Sequence, residues 1–219
     1  MSIITIASGK GGCGKTTLAS LILGVLARDG YKVAAIDTDL NETLAKWASN
    51  VASDPINAVA ETDETKIVPL AAELEEAHDL VVIDTAGAST QATVFAVGSA
   101  DLVLIPAQLS SADLVEALRM KQLVGSAAQM SKRKIATKLV LTDYQPNTNV
   151  AAHVEKVIGE NKLPMLLTRI NRLVAFKEMT FTGDVPTTGK AGTIANFLLR
   201  DLKALGVLPF YEEVQSAAA

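Results

Sequence analysis

Residues 9–17, GKGGCGKTT, combine glycines, lysines and hydroxyls at a spacing that suits polyphosphate chemistry. Gly9, Gly14, Lys15 and Thr16 fill the pattern G-x-x-x-x-G-K-[ST]. In such a loop the glycines let backbone N–H groups turn inward around phosphates. The lysine reaches the β- and γ-phosphates, and the hydroxyl ligates Mg²⁺. The expected nucleotide cradle is therefore Gly11, Gly12, Cys13, Gly14, Lys15, Thr16 and Thr17, with ATP and Mg²⁺ as the implied ligands.

Acidic residues supply the other half of this chemistry. Asp84 closes the apolar run LVVID, where a carboxylate holds Mg²⁺ through its water shell, and Gly87 would let backbone approach the γ-phosphate. Asp37 and Asp39 are two residues apart in an extended segment, so both are expected to point the same way from a strand end. They could order the waters around Mg²⁺ and position an attacking water. Lys10 has no place in the phosphate-loop pattern. At the mouth of the loop its flexible stem could cross a face-to-face dimer interface and neutralise transition-state charge in the other subunit.

These side chains need a frame that brings strand ends together. Near-continuously apolar runs at 3–7, 32–37, 79–84, 101–106, 138–142 and 164–168 read as strands covered on both faces. Helical patterns alternate with them: TTLASLILGVLARDG with Gly30 as its stop, then roughly 42–51, 66–78, 89–98, 111–130, 148–161, 171–182 and 191–205. This alternation predicts a three-layer α/β fold, a mostly parallel twisted sheet flanked by helices. Ligands of such sheets bind at the carboxyl ends of the strands, which is where the loop and the aspartates fall. Without a repeat or linker in view, residues 1–214 are expected to be one domain, and 215–219 a disordered tail.

Composition narrows the alternatives. The 219 residues carry a net charge of -4, so any nucleic-acid contact must come from a local patch. One cysteine, Cys13, leaves no internal disulfide and no C-x-x-C pair, which fits a reducing cytosol. The N-terminal residues lack a basic n-region and no apolar run reaches about 18 residues, so neither a secretory signal nor a membrane span is expected. His78 and His153 have no partner at metal-ligand spacing and read as structural.

The stretch Lys10 to Thr17, K-G-G-x-G-K-T-T, resembles the deviant Walker A signature of the ParA/MinD ATPases. The likeness extends along nearly the whole chain. VAAIDTDLNETLAKW is similar to the first switch segment of that family, LVVIDTAG to its Walker B and second switch, and LVLIPAQLSSADL to its I-P-x-x-x-S-x-x-D/E-L segment. TRINRLVAFKEMTFTGDVP resembles its late strand-to-helix passage. The resemblance implies a P-loop NTPase fold and an ATP-dependent sandwich dimer in which Lys10 contacts the partner's nucleotide. It gives Lys15 and Thr16 to phosphate and Mg²⁺, Asp39 to the attacking water, and Asp37 and Asp84 to the outer Mg²⁺ shell. Thr142 and Asp143, then Arg169 to Arg172, occupy the places that touch adenine in related folds. One departure stands out: Leu40 and Asn41 replace the family's proline and glutamine in the first switch.

Three outputs compete for such an ATPase. Non-specific DNA binding needs lysine and arginine facing phosphates. Arg169, Arg172, Lys177, Arg200 and Lys203 are the leading candidates, with Lys132, Arg133, Lys134 and Lys190 behind them. Membrane attachment would need a cation-rich amphipathic terminal helix, and TIANFLLRDLKALG has only two cations. Iron–sulphur ligation needs spare cysteines, which the chain lacks. The expectation is a weak, partner-stimulated ATPase resembling the short ParA proteins without an N-terminal DNA-binding extension. It would be cytoplasmic and nucleoid-associated, segregating plasmid or chromosomal DNA with a centromere-binding or cargo adaptor. The alternatives are the same mechanism positioning a non-DNA cargo, a MinD-like membrane-associated ATPase and a monomeric small-molecule ATPase.

Overall fold

The computed structural model describes residues 2–51, 56–87 and 90–209. Six strands form the sheet: β1 (Ser2–Ile6), β2 (Val33–Asp37), β3 (Asn57–Ala60), β4 (Leu80–Asp84), β5 (Leu102–Ala107) and β6 (Ala136–Leu141). Among the described residues the helices are α1 (Lys15–Arg28), α2 (Thr43–Ser49), α3 (Glu64–Ala77), α4 (Gln91–Ser99), α5 (Ser111–Ser131), α6 (Asn149–Glu160), α7 (Val174–Thr182) and α8 (Gly189–Ala204). The strand order is β3-β2-β4-β1-β5-β6, and every neighbouring pair is parallel.

Strand periodicity sorts the core into two layers. Val33, Ala35, Leu80, Val82, Leu102, Leu104 and Val140 face α1, α2, α7 and α8. Their chain neighbours Ala34, Ile36, Val81 and Ile83 face α3 and α4, while Val103, Ile105, Leu139 and Leu141 face α5 and α6. Successive strand side chains point to opposite faces, so a run that is apolar at every position demands helices on both sides. Here it has them.

Two expectations about strands are corrected. Residues 164–168 do not form a strand: the segment touches the sheet through one bridge, Leu139 to Met165, beside Leu139 N–H to the Pro164 carbonyl at 2.8 Å and Leu166 N–H to the Leu139 carbonyl at 2.9 Å. The next donor, Thr168 N–H, goes to Asp201 Oδ2 at 2.8 Å and the Leu141 carbonyl is taken by Ile170 N–H at 2.8 Å, so pairing does not continue along 166–168. In turn β3 was not foreseen. It is an edge strand of four residues, Asn57–Ala60, without the buried apolar run that marks the others. The expected tail at 215–219 lies outside the described residues.

Candidate nucleotide site

Register brings the acidic groups to one edge of the sheet. Asp37 is the pairing partner of Asp84, and Asp84 is also paired with Ile6, the last residue of β1 before the phosphate loop. The ends of β2, β4 and β1 therefore meet in a row. The loop closes onto α1 with Gly12 at φ 73° and Gly14 at φ 93°, both left-handed, a conformation glycine adopts without the Cβ clash of other residues. Gly87 is packed against this loop: a Cβ there would sit 3.0 Å from Gly11 Cα and 3.6 Å from Lys15 Nζ.

Lys15 is buried, and its ammonium donates to the Lys10 carbonyl at 3.1 Å, within its own loop. Thr16 Oγ1 donates to Asp84 Oδ2 at 2.6 Å. The other oxygen, Asp84 Oδ1, is buried and has no hydrogen-bond partner among the described residues. Burial pushes the Asp84 carboxyl up to about 7, the Thr16 hydroxyl pulls against this, and the Asp37 and Asp39 charges add to it. A buried, acceptor-only oxygen beside a threonine hydroxyl and a lysine suits the water shell of a divalent cation. Among the described residues no cluster of three or more His, Cys, Asp or Glu side chains is placed to ligate a metal directly. The donor set thus fits an ion carried by a polyphosphate better than one held by protein alone.

Asp37 and Asp39 turn out to have different duties. Asp37 Oδ2 accepts from the backbone N–H of Leu44 at 2.8 Å and of Ala45 at 3.1 Å, and so satisfies the start of α2 from outside the helix. Its Oδ1 takes the N–H of Asp39 at 3.1 Å. Asp39 Oδ1 accepts from Asn41 N at 2.9 Å and from Asn41 Nδ2 at 2.8 Å. Asp37 thus caps a helix while Asp39 is held by Asn41, and the charges of both bear on Asp84. The unusual Asn41 is the residue that steadies Asp39, while Leu40 is 85% exposed.

Lys10 lies against its own chain. Its Nζ is 2.8 Å from Oδ2 of Asp113, at the start of α5, whose side chain is 1% exposed. Burial alone would raise the Asp113 carboxyl, but the Lys10 ammonium and the Ser110 hydroxyl outweigh it and hold the group below its usual range.

A cavity of about 370 Å³ opens beside the loop, lined by Leu18, Ile170, Leu173 and Phe176 together with Thr142, Asp143 and Lys177. Its largely apolar walls suit a nucleobase. Thr142 and Asp143 both line it, as does Arg172, which closes a bidentate pair on Asp143 from Nε at 2.6 Å and from the second guanidinium nitrogen. That pairing holds the Asp143 carboxyl below its usual range. Sequence reasoning missed Gln108, whose Nε2 donates to the Gly12 carbonyl at 3.0 Å. Its only sequence signal is its place one residue past β5.

The cations considered for DNA have different immediate partners. Arg172 and Lys177 stand at the rim of the cavity, and Arg169 is paired with Glu155 at 2.9 Å. Lys203 is paired with Asp29 at 2.7 Å, just past the far end of α1, and Arg200 stacks on Phe197 with 5.6 Å to the ring centre. The fourteen residues of α1, roughly 20 Å of helix, run from the cavity lined by Arg172 and Lys177 to the Lys203–Asp29 pair.

The chain resembles known proteins in both sequence and shape. Protein ParA of Rhizobium radiobacter is 31% identical over 147 residues, 67% of this chain and 66% of that protein. Protein virC1 of the same organism is 38% identical over 125 residues, 54% of each. These alignments span between about half and two thirds of the relatives' own lengths. An ATP complex of a McdA variant from Cyanothece superposes with a TM-score of 0.77 at 18% identity, covering 97% of this chain and 99% of the other. The resemblance to ParA and MinD-type ATPases read from the motifs is borne out. The VirC1 protein family model runs over residues 1–192, from the first strand through the phosphate loop, both aspartate segments and the cavity wall, and the chain belongs to that family.

Proposed function

We propose that this chain is an ATP-hydrolysing positioning ATPase that pairs face to face on ATP, holds DNA without regard to sequence and segregates it with an adaptor protein. The observation that carries the reading is Asp84 Oδ1, buried beside Thr16 and Lys15 with no hydrogen-bond partner among the described residues, a site suited to a polyphosphate with its cation. Lys15 would exchange the Lys10 carbonyl for the β- and γ-phosphates, and the N–H groups of residues 11–17 would face them. When bound with ATP, Mg²⁺ neutralises the charge that develops as the γ-phosphate departs. Thr16 would ligate it, and Asp84 would hold its outer waters. Asp39, fixed by Asn41, is the carboxylate left to orient an attacking water. Lys10 would leave Asp113 to meet the nucleotide of a second copy.

The likeness to ParA and virC1 supports a partition role, and Arg172 and Lys177 beside the nucleotide cavity offer a DNA contact that could respond to ATP. Such a protein would work on the nucleoid. Among the described residues no helix is long and apolar enough to cross a membrane.

The test is a titration of DNA with ATP, ADP or no nucleotide at two salt concentrations, with anionic liposomes in parallel. Binding that requires ATP, weakens with salt and ignores base sequence is the expected result. Liposome binding in place of DNA binding, or DNA binding indifferent to nucleotide, would overturn the proposal.

A further inference from the structure

Two side chains outside the Walker pattern grip the phosphate loop from behind. Gln108 donates to the Gly12 carbonyl at 3.0 Å, and Thr142 donates from Oγ1 to the Cys13 carbonyl at 2.7 Å. Both follow directly on strand ends, β5 and β6, and Thr142 N–H is itself bonded to the Ala107 carbonyl at 2.9 Å. The strand order places β5 beside β1, so the two grips reach the loop from a rigid neighbour.

Peptide geometry turns these bonds into a statement about the other side of the loop. In a planar trans peptide the carbonyl and the following N–H point in opposite directions. Fixing the carbonyls of Gly12 and Cys13 toward Gln108 and Thr142 therefore turns the N–H groups of Cys13 and Gly14 away from them. Gly12 and Gly14 are left-handed and Cys13 between them is not, the alternation that makes successive N–H groups converge on an anion. A glycine-rich segment has no preference of its own for this arrangement. Thr142 is 4% exposed and lies directly under Gly14, where a Cβ would come within 3.5 Å of its own Cβ.

We infer that Thr142 and Gln108 are positioning residues for phosphate recognition, holding two peptides of the loop so that their N–H groups face the phosphates, and that Thr142 does not read the base. The inference rests on the nucleotide-site reading above. Inorganic tripolyphosphate separates the roles, because it has phosphates and no base.

The experiment titrates ATP and tripolyphosphate, each with Mg²⁺, into the wild-type chain and into Thr142→Val, Thr142→Ser and Gln108→Leu. Thermal melts run alongside. Thr142→Val is expected to weaken both ligands by the same factor, about three- to tenfold for one lost hydrogen bond. Thr142→Ser restores both affinities, and Gln108→Leu weakens both in the same proportion. A loss confined to ATP would give Thr142 to the base and overturn the inference, as would unchanged affinity for both ligands in the two non-bonding variants. If Thr142→Val does not fold, the half-buried Gln108 and the Thr142→Ser variant carry the comparison by the same criteria. A wild-type chain that binds neither ligand would overturn the site reading beneath as well, a result distinct from loss in the variants alone.

Discussion

Asp84 illustrates how a single side chain can be costly to the fold and necessary to the site. Its carboxyl titrates near 7 because burial penalises the charge, whereas in the unfolded chain it ionises near 3.8. The folded protein therefore loses stability as pH rises from about 4 toward 7, and above 7 the full cost remains. Asp84→Asn should raise stability at pH 8 by about 2–4 kcal/mol, and the gain should shrink steadily below pH 7. The same variant should lose Mg²⁺-dependent ATP binding. Denaturant midpoints at pH 5 and 8, with an ATP titration, check both outcomes. The meeting of Thr16 and Asp84 was legible from the sequence, because the loop pattern marks the first and the end of an apolar run marks the second. The capping role of Asp37 and the grip of Gln108 were not. Each depends on where a distant backbone group lands, which spacing along the chain does not encode.

At the level of elements, α2 and α7 behave as a joined pair. The Asp37 carboxylate caps one end of α2, and further along the helix Trp47 Nε1 donates to the Met179 carbonyl of α7 at 3.0 Å. Gly183, which ends α7 at φ 78°, packs so closely on the end of α2 that a Cβ would lie 2.7 Å from the Asn50 carbonyl oxygen. Gly183→Ala should cost about 2–4 kcal/mol, through both the left-handed backbone and the clash with main chain, and a urea titration reads it directly. The helices were readable from periodicity to within a few residues, since each buries one stripe against the sheet. The strands were equally clear wherever both faces were covered. Residues 164–168 misled because apolar character was present while the Thr168 N–H goes to Asp201 and not to the sheet, and β3 escaped notice because an edge strand buries little.

For the whole molecule, the question is what a second copy would change. The parallel sheet gathers its functional loops at one edge, and Lys10 there is held by Asp113 of the same chain. If Lys10 must turn outward to complete a partner's site, the Asp113 carboxylate competes with the partner's phosphates. Asp113→Asn should then strengthen ATP-dependent self-association by about three- to tenfold, measured by sedimentation, while Lys10→Ala should abolish it. Equal association in wild type and Asp113→Asn would remove the competition. The sandwich arrangement was suggested by a motif, and no spacing in the sequence disclosed that the cation has an internal resting place. Charge pairing was likewise opaque: nothing in the spacing disclosed that Arg169 is paired with Glu155 and Lys203 with Asp29.

The join between α2 and α7 also gives the protein a gauge of its own. Trp47 is the sole indole in the chain, and its bond to Met179 ties the helix capped by Asp37 to the helix that lines the cavity. Its ultraviolet emission will register whether the packing of these two helices changes when ATP is added, with no dye attached and no background from a second tryptophan.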